Sequence, residues 1–362
     1  MQLNPFKKPS FVGVDIGHKT ITLVQIDKVG NSGWKITRAG SVPTPTDSIK
    51  DGVVAEPDVV GIAIKQGLKD LRITASAAIV GVSGGSVIVR TVRVPQMNEL
   101  MLRKSIKYEA GRYVPSSIED SFIEFEIMGE APDNQMDVLI VAAPREIVLS
   151  RVQALERAGL EVDVVDVEAF AMYRSLVESD ETSILHQMTM AMVDIGSTTT
   201  TVSVVSKGTF AMTRTIPQAG QTWTDALKAY FKLTDEQAET GKAQLNLAPL
   251  TTDQVLDNQP LRVLQPHVDD LIREIRRSLN YFQAQQTESG QQNPVTHLVV
   301  SGGGAKLAGL GEYLSHKLGI QVFCIGVLDN PKFTYLGTEE VGNGIDLAVA
   351  SGLAMRAFAK AG

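Results

Sequence analysis

"MVDIGSTTTTVSVV", residues 192–205, carries an acidic residue to the end of an apolar run, then a glycine and a row of hydroxyls, and then turns apolar again. The alternation on either side of the bend reads as a β-hairpin. The chain does nearly the same thing near its start, in "FVGVDIGHKTITLVQID", residues 11–27. One such bend is ordinary turn chemistry. Two of them imply a duplicated unit with a shared task. Glycine at each bend lets backbone N–H groups approach a ligand, and the hydroxyls of Ser197 and Thr198 to Thr201 suit phosphate oxygens. Asp15 and Asp194 would repel phosphate unless a divalent cation, Mg²⁺ with its waters, lies between. The pair therefore predicts two hairpins that clamp a polyphosphate from opposite sides.

Outward from the first hairpin, "WKITRAGSVPTP" reads as a strand, "AEPDVVGIAIKQGLKDL" as a helix with Pro57 in its first turn, and "AAIVGVSG" as a strand buried on both faces. From residue 86 the pattern is strand ("GGSVIVRTVRVP"), helix ("QMNELMLRKSIKYEAGRYV"), two strands ("SFIEFEIMGE", "MDVLIVAAP") and helix ("REIVLSRVQALERAGL"). It reads as a small α+β insert over 86–158. "EVDVVDVE" is a further strand, and the polar "ESDETSILHQM" marks a hinge between halves. After the second hairpin come helices at "QTWTDALKAYF", "TDEQAETGKAQL" and "LRVLQPHVDDLIREIRRSLNYFQAQ". The strand "VTHLVVSGGG", the helix "LAGLGEYLSHKLG", the strand "IQVFCIGV" and the closing helix "IDLAVASGLAMRAF" complete the chain. Mixed β/α order with a repeated hairpin predicts two related lobes, each a sheet flanked by helices.

Composition excludes several classes. The formal charge of −7, with no basic run longer than a dipeptide, opposes nucleic acid and anionic membrane. A single cysteine, Cys324, rules out an internal disulfide framework and a multi-cysteine metal site. Its place in an apolar strand reads as a buried thiol. "MQLNPFKKPS" lacks the apolar core of a secretory signal, and no run of about 18 apolar residues offers a membrane span. A cytoplasmic protein is expected, with any membrane address supplied by a partner.

Two further motifs bear on a nucleotide. In "LVVSGGGAKLAGL" a buried strand runs through Gly302, Gly303 and Gly304 into a helix, a backbone suited to phosphate or ribose. It matches neither the P-loop nor the dinucleotide fingerprint. In "AETGKAQL", Glu239 and Lys242 share a helix face. That spacing fits a surface ion pair, or else an acceptor for ribose hydroxyls with a lysine alongside the nucleoside.

Taken in order, the two Asp-Ile-Gly hairpins, the Ala-Glu-x-x-Lys helix and the Ser-Gly-Gly-Gly turn resemble the actin-like ATPase superfamily, which includes MreB and FtsA. "VEAFA" resembles its first connecting helix and "GIDLAVASGLA" its last. The resemblance implies an α/β actin-like ATPase fold of two related lobes with an FtsA-like insert in the first. The expected boundaries are 10–85 for the first lobe, 86–158 for the insert, 159–190 for the first lobe continued and the hinge, 191–341 for the second lobe, and 342–362 for a closing helix returning to the first. It implies one ATP site between the lobes. Asp15, Gly17 and Lys19 would grip phosphate from the first hairpin, and Asp194, Gly196, Ser197, Thr198 and Thr199 from the second. Glu239 and Lys242 would lie at the ribose, Gly302, Gly303 and Gly304 beside the adenosine, and Mg²⁺ would be held through water by Asp15 and Asp194. Glu168, at the start of the connecting helix, would orient water for slow turnover, with Asp166 the nearby alternative. His18 departs from the Ser or Thr usual in the first hairpin.

"GVVAEPDVV", "VRVPQMNELMLRKSIKYEAGRYVPSSIED" and "RRSLNYFQAQ" narrow the resemblance to the PilM family of type IV pilus assembly. That family implies ATP and the short cytoplasmic N-terminal tail of the inner-membrane protein PilN as ligands, with contacts to other platform and motor proteins. It places the protein in the cytoplasm, peripherally at the inner membrane through partners. FtsA carries a C-terminal amphipathic membrane helix, whereas here "LAMRAFAKAG" suggests no direct attachment. The competing reading is a sugar or small-acid kinase of the same superfamily. It needs a catalytic Asp and a polar sugar pocket where this chain is apolar and basic.

Overall fold

The structure is a computed structural model, describing residues 10–30, 32–111, 118–180, 183–252, 257–288 and 293–359. In chain order, β1 (Phe11–Ile16), β2 (Thr20–Val29) and β3 (Gly33–Pro43) form a meander, and a small ribbon follows as β4 (Ile49–Lys50) and β5 (Val53–Val54). Then come α1 (Pro57–Asp70), β6 (Ala77–Val82), β7 (Ile88–Pro95), α2 (Glu99–Ala110), β8 (Ser121–Ala131), β9 (Gln135–Pro144) and α3 (Arg145–Ala158). β10 (Glu161–Val167) leads directly into α4 (Glu168–Tyr173). The second meander is β11 (Thr189–Ile195), β12 (Thr200–Ser206) and β13 (Thr209–Ile216), followed by α5 (Gly220–Phe231), α6 (Asp235–Ala243) and α7 (Gln259–Glu288). The chain closes with β14 (His297–Ser301), α8 (Leu310–Leu318), β15 (Gln321–Cys324), β16 (Phe333–Tyr335) and α9 (Ala348–Arg356). Within the "EAGRYVP" signature, Arg112 to Pro115 lie outside the described residues, as do Glu181 and Thr182 of the expected hinge.

The duplication extends beyond the hairpins. One sheet runs β10-β6-β1-β2-β3 and the other β15-β14-β11-β12-β13, with the same directions at every step. In each, the hairpin strands are antiparallel and the two strands beyond them parallel. Register repeats too: Asp15 pairs with Thr22 and Asp194 with Thr201. β6 is buried at every position, as a central parallel strand covered on both faces should be.

Two compact units result. The first takes the chain up to Val82, Glu146–Asp180 and the chain from Val327 on; the second takes Ser83–Arg145 and Glu181–Gly326. The division differs from the boundaries drawn from the sequence at two places. The inserted segment interrupts the first unit in sequence, yet its strands extend the second sheet in the order β13-β7-β9-β8, while α3 belongs to the first unit. The return to the first unit starts at Val327 rather than 342, because β16 pairs with β3.

Local chemistry sets the ends of the helices that matter below. Pro57 starts α1 and Thr234 with Gln237 forms a reciprocal capping box on α6. α9 reaches the first sheet through small residues, since a side chain at Gly13 would strike the Ala350 carbonyl. Its core is Ala348, Ala350, Ser351, Gly352 and Ala354, all buried.

Candidate functional site

In the second unit the hairpin tip closes when Gly196 N–H donates to Thr199 O at 3.0 Å. The tip is held from α5, whose N-terminus has no side-chain cap. Instead, Gly220 N–H donates to Gly196 O at 3.2 Å and Gln221 N–H to Ser197 O at 2.6 Å. Orphan donors of the first helical turn are thus satisfied by the hairpin carbonyls, which puts the positive end of the helix at the bend. Thr200 lies fully buried with its hydroxyl donating to Gln218 O at 2.8 Å, so that hydroxyl braces the turn rather than facing a ligand.

Glu239 and Lys242 are no surface pair. Lys242 Nζ donates to Glu239 Oε1 at 3.0 Å, to Thr224 Oγ1 at 2.8 Å and to Gly220 O at 3.2 Å. Thr224, completely buried on α5, also donates to Glu239 Oε1. The two charged side chains are only 30% and 16% exposed. This clamp ties α6 to the start of α5 beside the hairpin tip. A Cβ at Gly220 would stand 3.3 Å from Gly196 O, 3.7 Å from Lys242 Nζ and 4.0 Å from Gly304 Cα. Hairpin, helix start, lysine and Gly-rich turn therefore converge on one spot.

The Gly-rich turn is built against the hairpin. β14 runs parallel to β11 with Ser301 beside Asp194. Gly302 then takes φ +92 and ψ 170, a conformation reserved for glycine, and a Cβ there would collide with Asp194 Oδ1 and lie 2.6 Å from Ile195 O. Gly304 is constrained by packing alone, a Cβ there meeting the Ile195 side chain and lying 3.0 Å from Ile195 O, while Gly303 has nothing within 4 Å. Asp194, Gly196, Ser197, Thr198, Thr199, Glu239, Lys242 and Gly302 to Gly304 are thus brought together in this unit.

The first unit repeats the hairpin with a different brace. Gly17 N–H donates to Thr20 O at 3.0 Å, but here Thr44, just after β3, holds the tip. Its hydroxyl donates to Gly17 O at 2.7 Å and its N–H to Lys19 O at 3.0 Å. Asp15 and Gly17 sit at the bend and Lys19 is exposed on it. Arg151 of α3 is only 3% exposed, donating from Nη1 to Gly52 O at 2.5 Å and to Ile147 O at 3.1 Å. Burial lowers its pKa, opposed by the charges of Glu168 and Asp15. His18 is half-buried, and its pKa is lowered by burial and then by Arg151, with Asp51 opposing. Glu168 opens α4 and packs against β6, where a Cβ at Gly81 would be 2.6 Å from Glu168 Cγ. Asp166 is committed elsewhere: it pairs with Arg174 at 2.9 Å, and Arg174 also donates to Gly352 O at 2.7 Å. Arg174, which directly follows α4, thus ties Asp166 of β10 to Gly352 of α9.

Sequence reasoning missed Gly220, Thr224, Thr44 and Arg151. Arg151 carried a signal: it falls on the stripe of Ile147, Ala154, Leu155 and Ala158 that α3 buries.

Two sheets of one strand order, each with an Asp-Ile-Gly hairpin beside its parallel strands, define an actin-like ATPase fold. MreB 5 of Spiroplasma citri, in a structure bound to AMPPNP, shares that fold at a TM-score of 0.51 and 12% identity, over 98% of this chain and 97% of that one. The cell division protein FtsA of Staphylococcus epidermidis is 24% identical over 343 residues, 84% of this chain and 71% of that protein. The model of the type IV pilus assembly protein PilM family matches residues 13–358, and the chain belongs to that family. A chain from the PilM-PilN type IV pilus biogenesis complex superposes with a TM-score of 0.82 at 26% identity, covering 97% of this chain and 99% of that one.

Proposed function

We propose that this chain binds ATP with Mg²⁺ and, in its nucleotide-bound form, the cytoplasmic N-terminal tail of PilN, so that nucleotide state governs assembly of the pilus platform at the inner membrane. The observation that carries the reading is the convergence of Gly196, Gly220, Gly304 and the Lys242–Glu239–Thr224 clamp. Backbone stripped of side chains, beside a fixed cation and the positive end of a helix, suits a phosphorylated nucleoside. Glu239 and Lys242 serve the ribose and Gly302 to Gly304 the adenosine. Asp194, Gly196, Ser197, Thr198 and Thr199 take phosphate, with Asp15, Gly17 and Lys19 contributing from the first hairpin. Among the described residues no group of three or more His, Cys, Asp or Glu side chains could cage a metal. Mg²⁺ prefers phosphate oxygens and water to an all-protein cage, and Asp15 and Asp194 are the acids we assign to its water shell. When bound, it neutralises phosphate charge. Glu168 is the residue we assign to orient water for slow turnover, with ATP acting chiefly as a clamp.

Support for the PilN partner comes from family membership and from the likeness to a chain of a PilM-PilN type IV pilus biogenesis complex. Among the described residues no helix is long and apolar enough to cross a membrane. A partner with a membrane anchor would supply that attachment. A ligand that prefers one conformation shifts the population by its differential affinity, which is how ATP would tune tail binding.

The test is calorimetry with ATP and Mg²⁺ on the wild type and Asp194→Ala, together with capture on a synthetic PilN tail with and without nucleotide. Asp194→Ala should weaken ATP at least about tenfold, or about 1.4 kcal/mol, and should reduce nucleotide-dependent capture. Unchanged ATP affinity in that variant refutes the site.

A further inference from the structure

The helix that α4 opens runs on past Tyr173 through one π turn, Arg174–Glu178. Ser179 N–H skips the carbonyl four residues back and donates to Arg174 O, five back, at 3.0 Å. Such turns are rare and concentrate at functional positions. The skipped carbonyl, Ser175 O, loses the donor that an α-helix would give it. The Ser179 hydroxyl takes that donor's place at 2.7 Å. The side chain of residue 179 thus offsets the bond that the π register gives up.

The two ends of the turn are held differently. At its start, Arg174 Nη1 donates to Gly352 O at 2.7 Å and its Nη2 pairs with Asp166 at 2.9 Å. The next residue, Ser175, is wholly buried and donates from Oγ to Ala348 O at 2.7 Å. α9 therefore fixes this end along its own backbone. At the far end the hold comes from Asn330, whose Nδ2 donates to Ser179 Oγ at 2.9 Å. That bond occupies a lone pair of the hydroxyl and leaves its proton for Ser175 O, which favours the π register. Asn330 is itself set, its Oδ1 accepting from Lys332 N–H at 2.9 Å. Asp180 is the last residue of the first unit before the chain passes to the second, and Val327 is the first on its return. The Ser179–Asn330 bond fastens the outgoing chain to the returning chain, inside the first unit.

We propose that this π turn is a two-register latch, held by Ser179 and Asn330, through which nucleotide binding reaches the end of the first unit. The proposal rests on the nucleotide reading above and adds to it an element that responds. In the second register Ser179 N–H donates to Ser175 O, as in an α-helix, and the residues after the turn rotate about the axis by one position. That rotation takes the Ser179 hydroxyl off Asn330 and frees the outgoing chain from the returning one. Arg174 joins the latch to the proposed site: it opens the π turn and grips Asp166, two residues before Glu168. Nucleotide that fixes the corner at Glu168 holds Arg174 in place, and the latched register with it. By linkage, the latched form binds nucleotide more tightly than the released one.

The experiment is hydrogen exchange by mass spectrometry on the full chain, read over the peptide that holds residues 174–180, in two arms. The first, without nucleotide, compares the wild type with Ser179→Ala, Ser179→Thr and Asn330→Asp. Ser179→Ala leaves Ser175 O without a donor in the π register. Asn330→Asp keeps the acceptor for Lys332 N–H but faces the Ser179 hydroxyl with a second acceptor, drawing its proton off Ser175 O. Each should speed exchange at least about tenfold, the size expected when a buried carbonyl loses its partner. Ser179→Thr keeps the hydroxyl and should stay close to the wild type. Asn330 is half-buried, so its variant reports even if Ser179→Ala fails to fold. The second arm adds ATP and Mg²⁺, which should slow exchange over 174–180 at least about fivefold, and by more than over α1 of the same unit. Asp166→Asn, which removes the charge that grips Arg174 but keeps the acceptor for Val167 N–H, should lose most of that slowing. Exchange unchanged in both Ser179→Ala and Asn330→Asp overturns the latch. Faster exchange in those variants with no effect of ATP, in a protein that calorimetry shows to bind it, overturns the link to nucleotide and leaves Ser179 a merely structural residue. No ATP binding by calorimetry overturns the nucleotide reading and the link with it.

Discussion

Replacing Gly302 or Gly303 of the Gly-rich turn by alanine should separate two chemically identical residues. At Gly302 the backbone sits at φ +92 and ψ 170, where an L side chain costs about 1–3 kcal/mol in strain alone. The added methyl would also run into Asp194 Oδ1 and stand 2.6 Å from Ile195 O, so either the hairpin or the turn must move. Overpacking of this kind adds about 1 kcal/mol or more. The sum is about 2–4 kcal/mol, which for a cooperative unit of this size lowers the melting temperature by roughly 5–15 °C. At Gly303 no atom lies within 4 Å of the added carbon and φ is not left-handed, so alanine should change stability by less than about 0.5 kcal/mol. Urea and thermal unfolding of the two variants, followed by Trp223 fluorescence, measure the contrast, because Trp223 is fully buried on α5. Equal stability of Gly302→Ala and wild type, or equal damage from Gly303→Ala, would refute the packing of the turn against Asp194.

Two further measurements probe the chemistry. Lys242→Met removes the donor shared by Gly220, Thr224 and Glu239; with both charges partly exposed, it should cost about 1–2 kcal/mol in urea unfolding and weaken ATP at least about tenfold. No loss of either kind would show that the clamp is incidental. The Cys324 thiol is pushed up to about 11 by burial, with Glu312 adding to the effect. At pH 8 its alkylation should be about a hundredfold slower in the folded protein than in urea, and equal rates by mass spectrometry would refute the shielding of this half-buried thiol in β15.

The hairpins were legible because they are local. An apolar alternation, an acid, a glycine and hydroxyls define bend and register within 17 residues, and the repeat of that pattern pointed to two related units. Other elements hid. β13, "TFAMTRTI", alternates only weakly, its strand identity being settled by pairing along β12. β16 has three residues and exists because it lies beside β3. Glu239 and Lys242 were readable as neighbours on a helix, but their third partner, Thr224, stands 15 residues before Glu239 on another helix. No spacing rule connects the two. Arg151 sat on an apolar stripe, where a charged residue should have drawn suspicion.

Sequence alone determined the two Asp-Ile-Gly bends, the alternation that makes their strands, and the glycines that open a backbone to a ligand, since each depends on residues within a few positions. Tertiary structure alone decided that Ser301 lies beside Asp194, that the start of α5 caps the hairpin, and that the buried Arg151 of α3 bonds to the carbonyl of Gly52. Those contacts join segments tens to more than a hundred residues apart, and their energies arise only when burial removes water from groups that the unfolded chain keeps solvated.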